Sequence, residues 1–598
     1  MASQTQSAPS LFVRNATGLV KGWSGFDAFV YSFMSVNLVT LGMFYSLAVF
    51  AFVPDGSAVA SILISAVAVT FLAIAYAGLI AVMPRAGGDY VWQSRVLDGV
   101  PGVITGAVVG GVIGVVLGMV TVGGSAGPVV LGLVGLVVGG AVGYLHGGIG
   151  FVLAATGWWF ILAQWAPIYG SILKIEFLQP LAALAGWSGG VDFFNSANGG
   201  FAASLIVIAL TTILVSLGMA GYARVQRWSF WFGLAGLAVM FVLLLVFSQS
   251  DFQNAFDQAS SSLFGVSGAY AQTVSQAASN SAVGYTGGDL NPLSFGGGTW
   301  LLVPFMMFWI LYPNWGSTLY GEVRGAGDFR KVLRGMLGGI WVTTVLALVF
   351  VFLAAKTFGW TFFNAANVNY IDYAYGYTQT APVIPIWTYP PLLASFLINS
   401  RIFQMVMVVV FGGWFLGWSG TLFLSSTRMI FAAAFDRVLP EAAARVSDRR
   451  AVPMYALALI MVPSVVVAWL YAYQSGFYPL TLDASLVIAV TFFGTAVAAT
   501  ILPYWKKDLY AKSPIARQKV LGVPLITIAG AVTVVVLGWT IYEWLSNSLY
   551  GIGVGNALSI EYLAVLYGLA VVVYVAAYLY RRRQGVDLGK IHQEIPSE

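Results

Sequence analysis

The run VPFMMFWILYPNWGSTLYGEVR, residues 303–324, is apolar enough to enter a membrane, yet it is broken in its middle. Pro313 removes a backbone donor, and Asn314 and Gly316 follow it, so a regular helix is not expected to run through. The stretch FDAFVYSFMSVNLVTLGMFY, residues 26–45, behaves alike, with Ser35, Asn37, Thr40 and Gly42 in the centre of an apolar run. Irregular backbone at membrane depth is tolerated only where it lines a cavity or is buried in protein. Two interrupted spans in corresponding halves point to a transporter site, where freed N–H groups suit a carboxylate and freed carbonyls a cation or ammonium. Taken singly, each break also reads as a proline kink or a set of polar interhelical contacts.

The rest of the chain agrees with a membrane location. Of 598 residues, 59% are hydrophobic and 8% charged, with a mean hydropathy of +0.85. A soluble domain carries about 25% charged residues, so this composition describes an integral membrane protein. Cysteine is absent, and the two histidines are His146 and His592. Disulfide frameworks, iron–sulfur clusters, thiolate zinc sites and bis-histidine haem are thereby excluded. No Ser/His/Asp set, metal cluster or phosphate loop stands out, so neither an enzyme nor a cofactor is expected. The first twenty residues show no cleavable signal.

Apolar runs long enough to span fall near 27–51, 58–83, 102–122, 128–145, 149–186, 201–221, 228–248, 299–320, 336–355, 402–427, 453–472, 484–505, 523–545 and 561–580. Counted singly they make fourteen, which puts both termini on one side. That alternation collects 24 of the 27 basic residues on the N-terminal side, leaving out only Lys174, Lys356 and Arg401. By the positive-inside rule both termini are expected in the cytoplasm of a cell (plasma) membrane protein. The net charge of +5 is then an orientation signal, with no nucleic-acid partner implied. Of the outer segments, 249–298 is rich in Gln, Ser, Asn, Gly and Ala, while 357–400 is aromatic and proline-bearing and is expected to pack over the outer mouth. The acceptor Asn15-Ala16-Thr17 falls on the inner side.

Buried charges are nearly missing from the runs. Asp27 and Glu322 sit at inner ends, and Glu176 and Glu543 near outer ends, so a proton-relay machine is not expected. A solute recognised by backbone and neutral polar groups remains.

Several strings resemble the amino acid–polyamine–organocation (APC) superfamily. MPRAGGDYVWQSRVL (83–97) looks like its first cytoplasmic loop, and SSTRMIFAAAFDRVLPEAAARVSDRRAVPMYALAL (425–459) like the segment after its eighth core helix. YGEVRGAGDFRK (320–331) is similar to the acidic stretch ending the sixth core helix, and GIGFVLAATGWWFILAQWAPIYG (148–170) to the third helix. The resemblance covers about residues 20–580 apart from one insert. It implies an all-α integral membrane protein with a twelve-helix core, ten helices forming two inverted five-helix repeats, and alternating access to a central site. The tail would be 1–25, core helices one and two 26–98, three to five 149–248, six to ten 299–505, eleven and twelve 506–580, and the second tail 581–598.

By that resemblance, the substrate is held by Ser35, Asn37, Thr40, Gly42, Tyr312, Pro313, Asn314 and Gly316, with Trp158, Trp159 and Phe308 as walls. The family's usual Gly-Phe-Glu falls on Tyr312-Pro313-Asn314, and the loss of the acid argues against cationic substrates. The coupling lysine of several proton-coupled members falls near Gly236 here. Sodium coupling could use Thr421, Ser425 and Ser426, which equally suit ordinary interhelical hydrogen bonds. Arg85, Asp89, Arg428 and Asp436 would form the cytoplasmic gate, with Arg428 and Asp436 paired; the alternative is solvated surface charge. The expected function is secondary transport of a neutral amino acid or related amphoteric solute, coupled to H+ or Na+. The rival is a non-transporting structural or solute-sensing subunit on a permease scaffold.

The insert, 99–148, carries 17 glycines in 50 residues. Gly102, Gly106, Gly110, Gly114 and Gly118 keep a four-residue period, and Gly135, Gly139, Gly143 and Gly147 repeat it after TVGGSAGP. Such spacing places glycine on one helix face and lets two backbones approach closely. It predicts an antiparallel two-helix hairpin, packed on itself or the core, with an oligomer contact or partner docking as alternatives. His146 at its end reads as a satisfied interfacial histidine.

Overall fold

The computed structural model describes residues 19–43, 46–121, 126–280, 283–474 and 476–594. The sequon at 15–17, Arg14, the centre of the hairpin turn at 122–125 and the last four residues lie outside the described residues.

Most of the described residues are helical. In order, the helices used below are α1 (Gly25–Val36), α2 (Ala58–Val82), α3 (Asp89–Val96), α4 (Val100–Thr121) and α5 (Ala126–Tyr144). A 37-residue rod, α6 (Gly148–Leu184), is followed by α7 (Ala197–Ser216) and α8 (Gly218–Val246). The middle of the chain holds α9 (Gln249–Phe264), α10 (Ala269–Ser279), α11 (Gly298–Ile310), α12 (Phe329–Ala354), α13 (Trp360–Ala374) and α14 (Pro390–Phe396). The last part supplies α15 (Arg401–Ser419), α16 (Thr421–Phe435), α17 (Met454–Tyr473), α18 (Asp483–Trp505), α19 (Leu525–Ser546), α20 (Ala557–Arg583) and α21 (Leu588–Gln593). The only sheet among the described residues is a hairpin pairing Lys519–Val520 with Val523–Pro524.

Thirteen helical stretches among the described residues are long and apolar enough to cross a membrane, as in a multi-pass membrane protein. The fourteenth expected run, 299–320, is divided: α11 stops at Ile310 and a tight 3-10 segment, Trp315–Glu322, follows. The run at 149–186 resolves as one rod, about 55 Å long at 1.5 Å per residue, with π turns at Thr156–Phe160 and Lys174–Leu178.

Burial separates centre from rim. The apolar windows of the first span and of α6 are 94% and 89% buried, against 22% for each hairpin helix. The first span, α6 and α11 therefore form the interior. Large apolar side chains such as Trp228, Trp231, Val246, Val535 and Val572 face outward, as lipid contact requires.

The hairpin α4/α5 packs on itself through its glycines. Gly102, Gly106 and Gly110 lie against Gly143, Gly139 and Gly135, and a Cβ at any of them would strike the facing backbone carbonyl. Such close backbones permit Cα–H···O contacts, which repay the low helix propensity of glycine. The hairpin leans on α20, and His146 at its base meets the Asp98 carboxylate.

The segment 357–400 is no loose surface loop. Phe329–Ala374 is one continuous helical stretch, α12 running into α13 through a π turn at Ala355–Gly359. Phe362, Phe363, Trp387 and Tyr389 are buried, and Asn364 Oδ1 accepts from the Phe50 N–H at 3.0 Å. In 249–298, α9 and α10 turn Phe252, Phe256 and Ala269 inward, so this polar segment also packs by one face.

Candidate functional site

The site begins where α1 stops. Asn37 adopts a left-handed conformation (φ 49°, ψ 73°), which asparagine tolerates better than most residues. Its Oδ1 accepts from the Thr40 N–H at 3.1 Å and from Trp414 Nε1 at 2.9 Å. Leu38–Gly42 then makes a π turn. Ser35 Oγ donates back to Tyr31 O at 2.7 Å and so stays within α1.

The second break lies alongside. Ser32 Oγ donates to Pro313 O at 2.8 Å, tying α1 to the interruption after α11. Gly42 leaves room for the Trp309 ring, and a Cβ there would stand 3.2 Å from it. At Gly316 a Cβ would stand 3.2 Å from the Tyr31 ring. Sequence reasoning chose both glycines for helix breaking; here they also permit close packing. Ser35, Asn37, Thr40 and Gly42 thus sit beside Tyr312, Pro313, Asn314 and Gly316, all buried except the partly exposed Gly316.

Several buried polar atoms around the two breaks lack a hydrogen-bond partner: Asn37 Nδ2, both amide atoms of Asn314, Trp309 Nε1, Trp165 Nε1 and Glu176 Oε1. Each such group costs about 1–3 kcal/mol, and native proteins keep few of them. The Tyr76 hydroxyl stands near the Asn314 amide. Beside this cluster lies a cavity of about 60 Å³ lined by Leu41, Trp165, Tyr169, Phe308, Tyr375 and Ser485 among others. Tyr312 Oη is 3.0 Å from Ser485 Oγ at its edge.

The aromatic walls differ from expectation. Phe308 lines the cavity and stacks on Trp544 at 4.7 Å between centroids. Trp158 packs at 4.7 Å against Trp315, which also stacks on Trp165 at 5.2 Å. Trp159 is turned away: its Nε1 donates to Leu459 O at 3.0 Å, since successive residues on a helix point about 100° apart. Trp165 and Trp315 escaped the sequence reading, since tryptophan in an apolar run carries no sign of which way it faces.

The three hydroxyls considered for an ion are engaged in contacts. Ser425 Oγ donates to Trp315 O at 2.9 Å and meets Tyr31 Oη at 3.1 Å. Thr421 Oγ1 lies 3.2 Å from Tyr169 Oη, and Ser426 Oγ reaches only Leu422 O, at 3.4 Å, on its own helix.

The charged residues expected at a gate gather at the end of the bundle carrying most of the basic residues, with different partners. Arg428 does not pair with Asp436. It forms a two-pronged ion pair with Glu322, Nε to Oε1 at 2.7 Å and Nη2 to Oε2 at 3.1 Å. Asp436 pairs instead with Arg95 at 2.7 Å, since α16 ends at Phe435 and the chain turns away. Asp89 is wholly buried and accepts from four donors on four segments: Trp158 Nε1 (3.1 Å), Ser317 Oγ (2.8 Å), Thr495 Oγ1 (2.6 Å) and the Tyr76 hydroxyl. It is no surface charge. Arg85 is half-buried on the link before α3 and makes no ion pair among the described residues.

At the same end, the short helix α21 inserts His592, with Nε2 3.1 Å from Tyr90 Oη and 4.0 Å from Asp436. Burial pushes this imidazole down to about 4, against the pull of Asp436. The start of the first broken segment and the end of the second are also joined here: Trp23 N donates to Glu322 O at 3.2 Å, and Arg324 N to Trp23 O at 3.0 Å.

No known protein-family model matches the chain, and no curated protein matches it.

Proposed function

We propose that this chain is a secondary transporter of the amino acid–polyamine–organocation type. It would move a neutral amino acid or related small amphoteric solute across the cell membrane by alternating access. In this reading the described helices other than the α4/α5 hairpin supply a twelve-helix core with two inverted five-helix repeats, and both termini are cytoplasmic. The observation that carries it is the pair of facing helix breaks joined by Ser32 and Pro313, with Asn37 Nδ2 and both amide atoms of Asn314 buried beside them without a hydrogen-bond partner. A solute with one amine and one carboxylate offers complementary donors and acceptors to such groups. The absence of an acid at Asn314 favours a substrate without net positive charge. The four-donor cradle of Asp89 and the Arg428–Glu322 pair would then close the cytoplasmic side.

The test is uptake of a labelled amino-acid mixture into proteoliposomes under a proton gradient, a sodium gradient and neither. Saturable uptake that follows one gradient and is lost in Asn314→Ala supports the proposal and names the ion. Folded protein with no uptake of any solute offered turns the balance to a scaffold or sensing subunit.

A further inference from the structure

The sequence places Glu176 near a membrane surface, but the fold carries it into the interior. It lies on the π turn Lys174–Leu178 of α6 and is 4% exposed. Glu176 Oε2 accepts from Thr40 Oγ1 at 3.2 Å, inside the π turn that follows the Asn37 break. Its Oε1 has no hydrogen-bond partner, and the carboxyl joins no ion pair among the described residues. The Tyr389 hydroxyl, buried and also without a partner, stands close enough to feel its charge. Ile172, one turn earlier on α6, borders the cavity beside the breaks.

The neighbourhood decides what such a carboxyl can hold. Lys174 shares the π turn, half-buried and two residues away on another side of the helix, and makes no ion pair with Glu176; the elements packed on the turn carry Asp192 and Arg401, both at exposed positions. Tyr169, on the preceding turns of α6, already meets Thr421. No cation therefore offsets the charge. Hard metal ions take about six oxygen ligands, whereas the side chains here supply one carboxyl and the Thr40 hydroxyl, so most of the shell would have to come from backbone carbonyls. A proton needs only one oxygen. Ionisable groups inside a membrane protein are costly and are commonly kept for function, and π turns are frequent at functional sites.

We infer that Glu176 is a proton-binding site set against the first helix break, and that its loading is coupled to solute movement past that break. The coupling rests on the transport reading above; the proton binding does not. An O–H bond forms at Oε1 with a proton delivered by hydronium, water is left behind, and the negative charge is cancelled. In the loaded form Thr40 continues to donate to Oε2, and the buried Tyr389 hydroxyl no longer faces a charge. Release reverses the step, with nothing oxidised or reduced. Thr40 thus joins the proton site to the Leu38–Gly42 turn, so a change in one is felt by the other.

Infrared difference spectra of the reconstituted full chain, taken between mildly acidic and alkaline buffer, test the binding without any solute. The expected result is a protonated-carboxyl band that disappears in Glu176→Gln and shifts in frequency in Thr40→Val, both variants eluting as single folded species. A band unchanged in Glu176→Gln overturns the proposal, whatever the transport assays show. Under a proton gradient, solute accumulation should fall in Glu176→Gln to its level without a gradient, and Glu176→Asp should restore part of it. A Glu176 band in a protein that moves no solute leaves the proton site standing and removes the transport reading. Accumulation in Glu176→Gln equal to wild type overturns the coupling.

Discussion

Arg428 and Glu322 lie 106 residues apart in sequence and meet in the interior as a two-pronged ion pair, their side chains 0% and 1% exposed. The pair locks α16 to the segment that follows the second helix break. Since that segment also bridges to Trp23, one contact holds the start of the first broken span and the end of the second. Removing one partner leaves a buried charge without compensation, which typically costs about 3–5 kcal/mol. Arg428→Ala and Glu322→Gln should each lower the thermal midpoint in detergent strongly, and the double change should cost less than the sum. Additive losses would show that the two side chains are not energetically coupled.

A backbone prediction concerns Asn37. Its left-handed conformation costs a residue with an ordinary side chain about 1–2 kcal/mol, and Asn37→Ala also frees the Thr40 N–H and Trp414 Nε1. Asn37→Gly relieves the backbone and loses only the hydrogen bonds. Thermal stability should therefore rank Asn, then Gly, then Ala. Equal midpoints for the Gly and Ala variants would mean that the break does not need this conformation.

The hairpin prediction separates self-packing from assembly. In Gly110→Val or Gly139→Val the new Cβ meets the carbonyl of Gly135 or Gly106, so the two helices must spread apart. The midpoint should fall, while the elution volume of the detergent-solubilised protein stays that of wild type. A shift to a smaller species would place the glycine face in an oligomer contact instead.

His592 makes the docking of α21 sensitive to acid. Its docked imidazole titrates at about 4 because burial opposes the charge, against about 6.5 when released. Above pH ~6.5 both forms are neutral, so the docking energy is whole there. Between pH ~6.5 and ~4 the released form binds a proton that the docked form refuses, and docking weakens by on the order of 3 kcal/mol. Protease cleavage near Asp587 should thus accelerate as pH falls through that window, relative to a control peptide. His592→Gln should show no such acceleration; the same acid response in that variant would assign the effect to another group.

Much of the architecture was readable because it is written locally. The four-residue glycine period states which face a helix presents, whatever that face meets, and the close α4/α5 contact follows. Pro313, Asn314 and Asn37 act on their own backbone, so both interruptions lie where their residue types put them. Pairing was not readable in this way. Arg428 and Asp436 are eight positions apart and invited a pair, yet Arg428 turns to Glu322 and Asp436 to Arg95. Hydropathy marks Glu176 as a lone acid at the end of an apolar run, but its depth depends on a 37-residue rod that an apolar window reads as a long run of uncertain form.

What the sequence alone determined is the membrane setting, the helical class, the hairpin and the positions of the two breaks, because composition, period and backbone preference need no distant partner. Only the tertiary structure decided which polar atoms lie together: Ser32 with Pro313, Asp89 with its four donors, Glu176 with Thr40. In an interior that water does not solvate, every polar group depends on a neighbour, and those neighbours come from helices far apart in the chain.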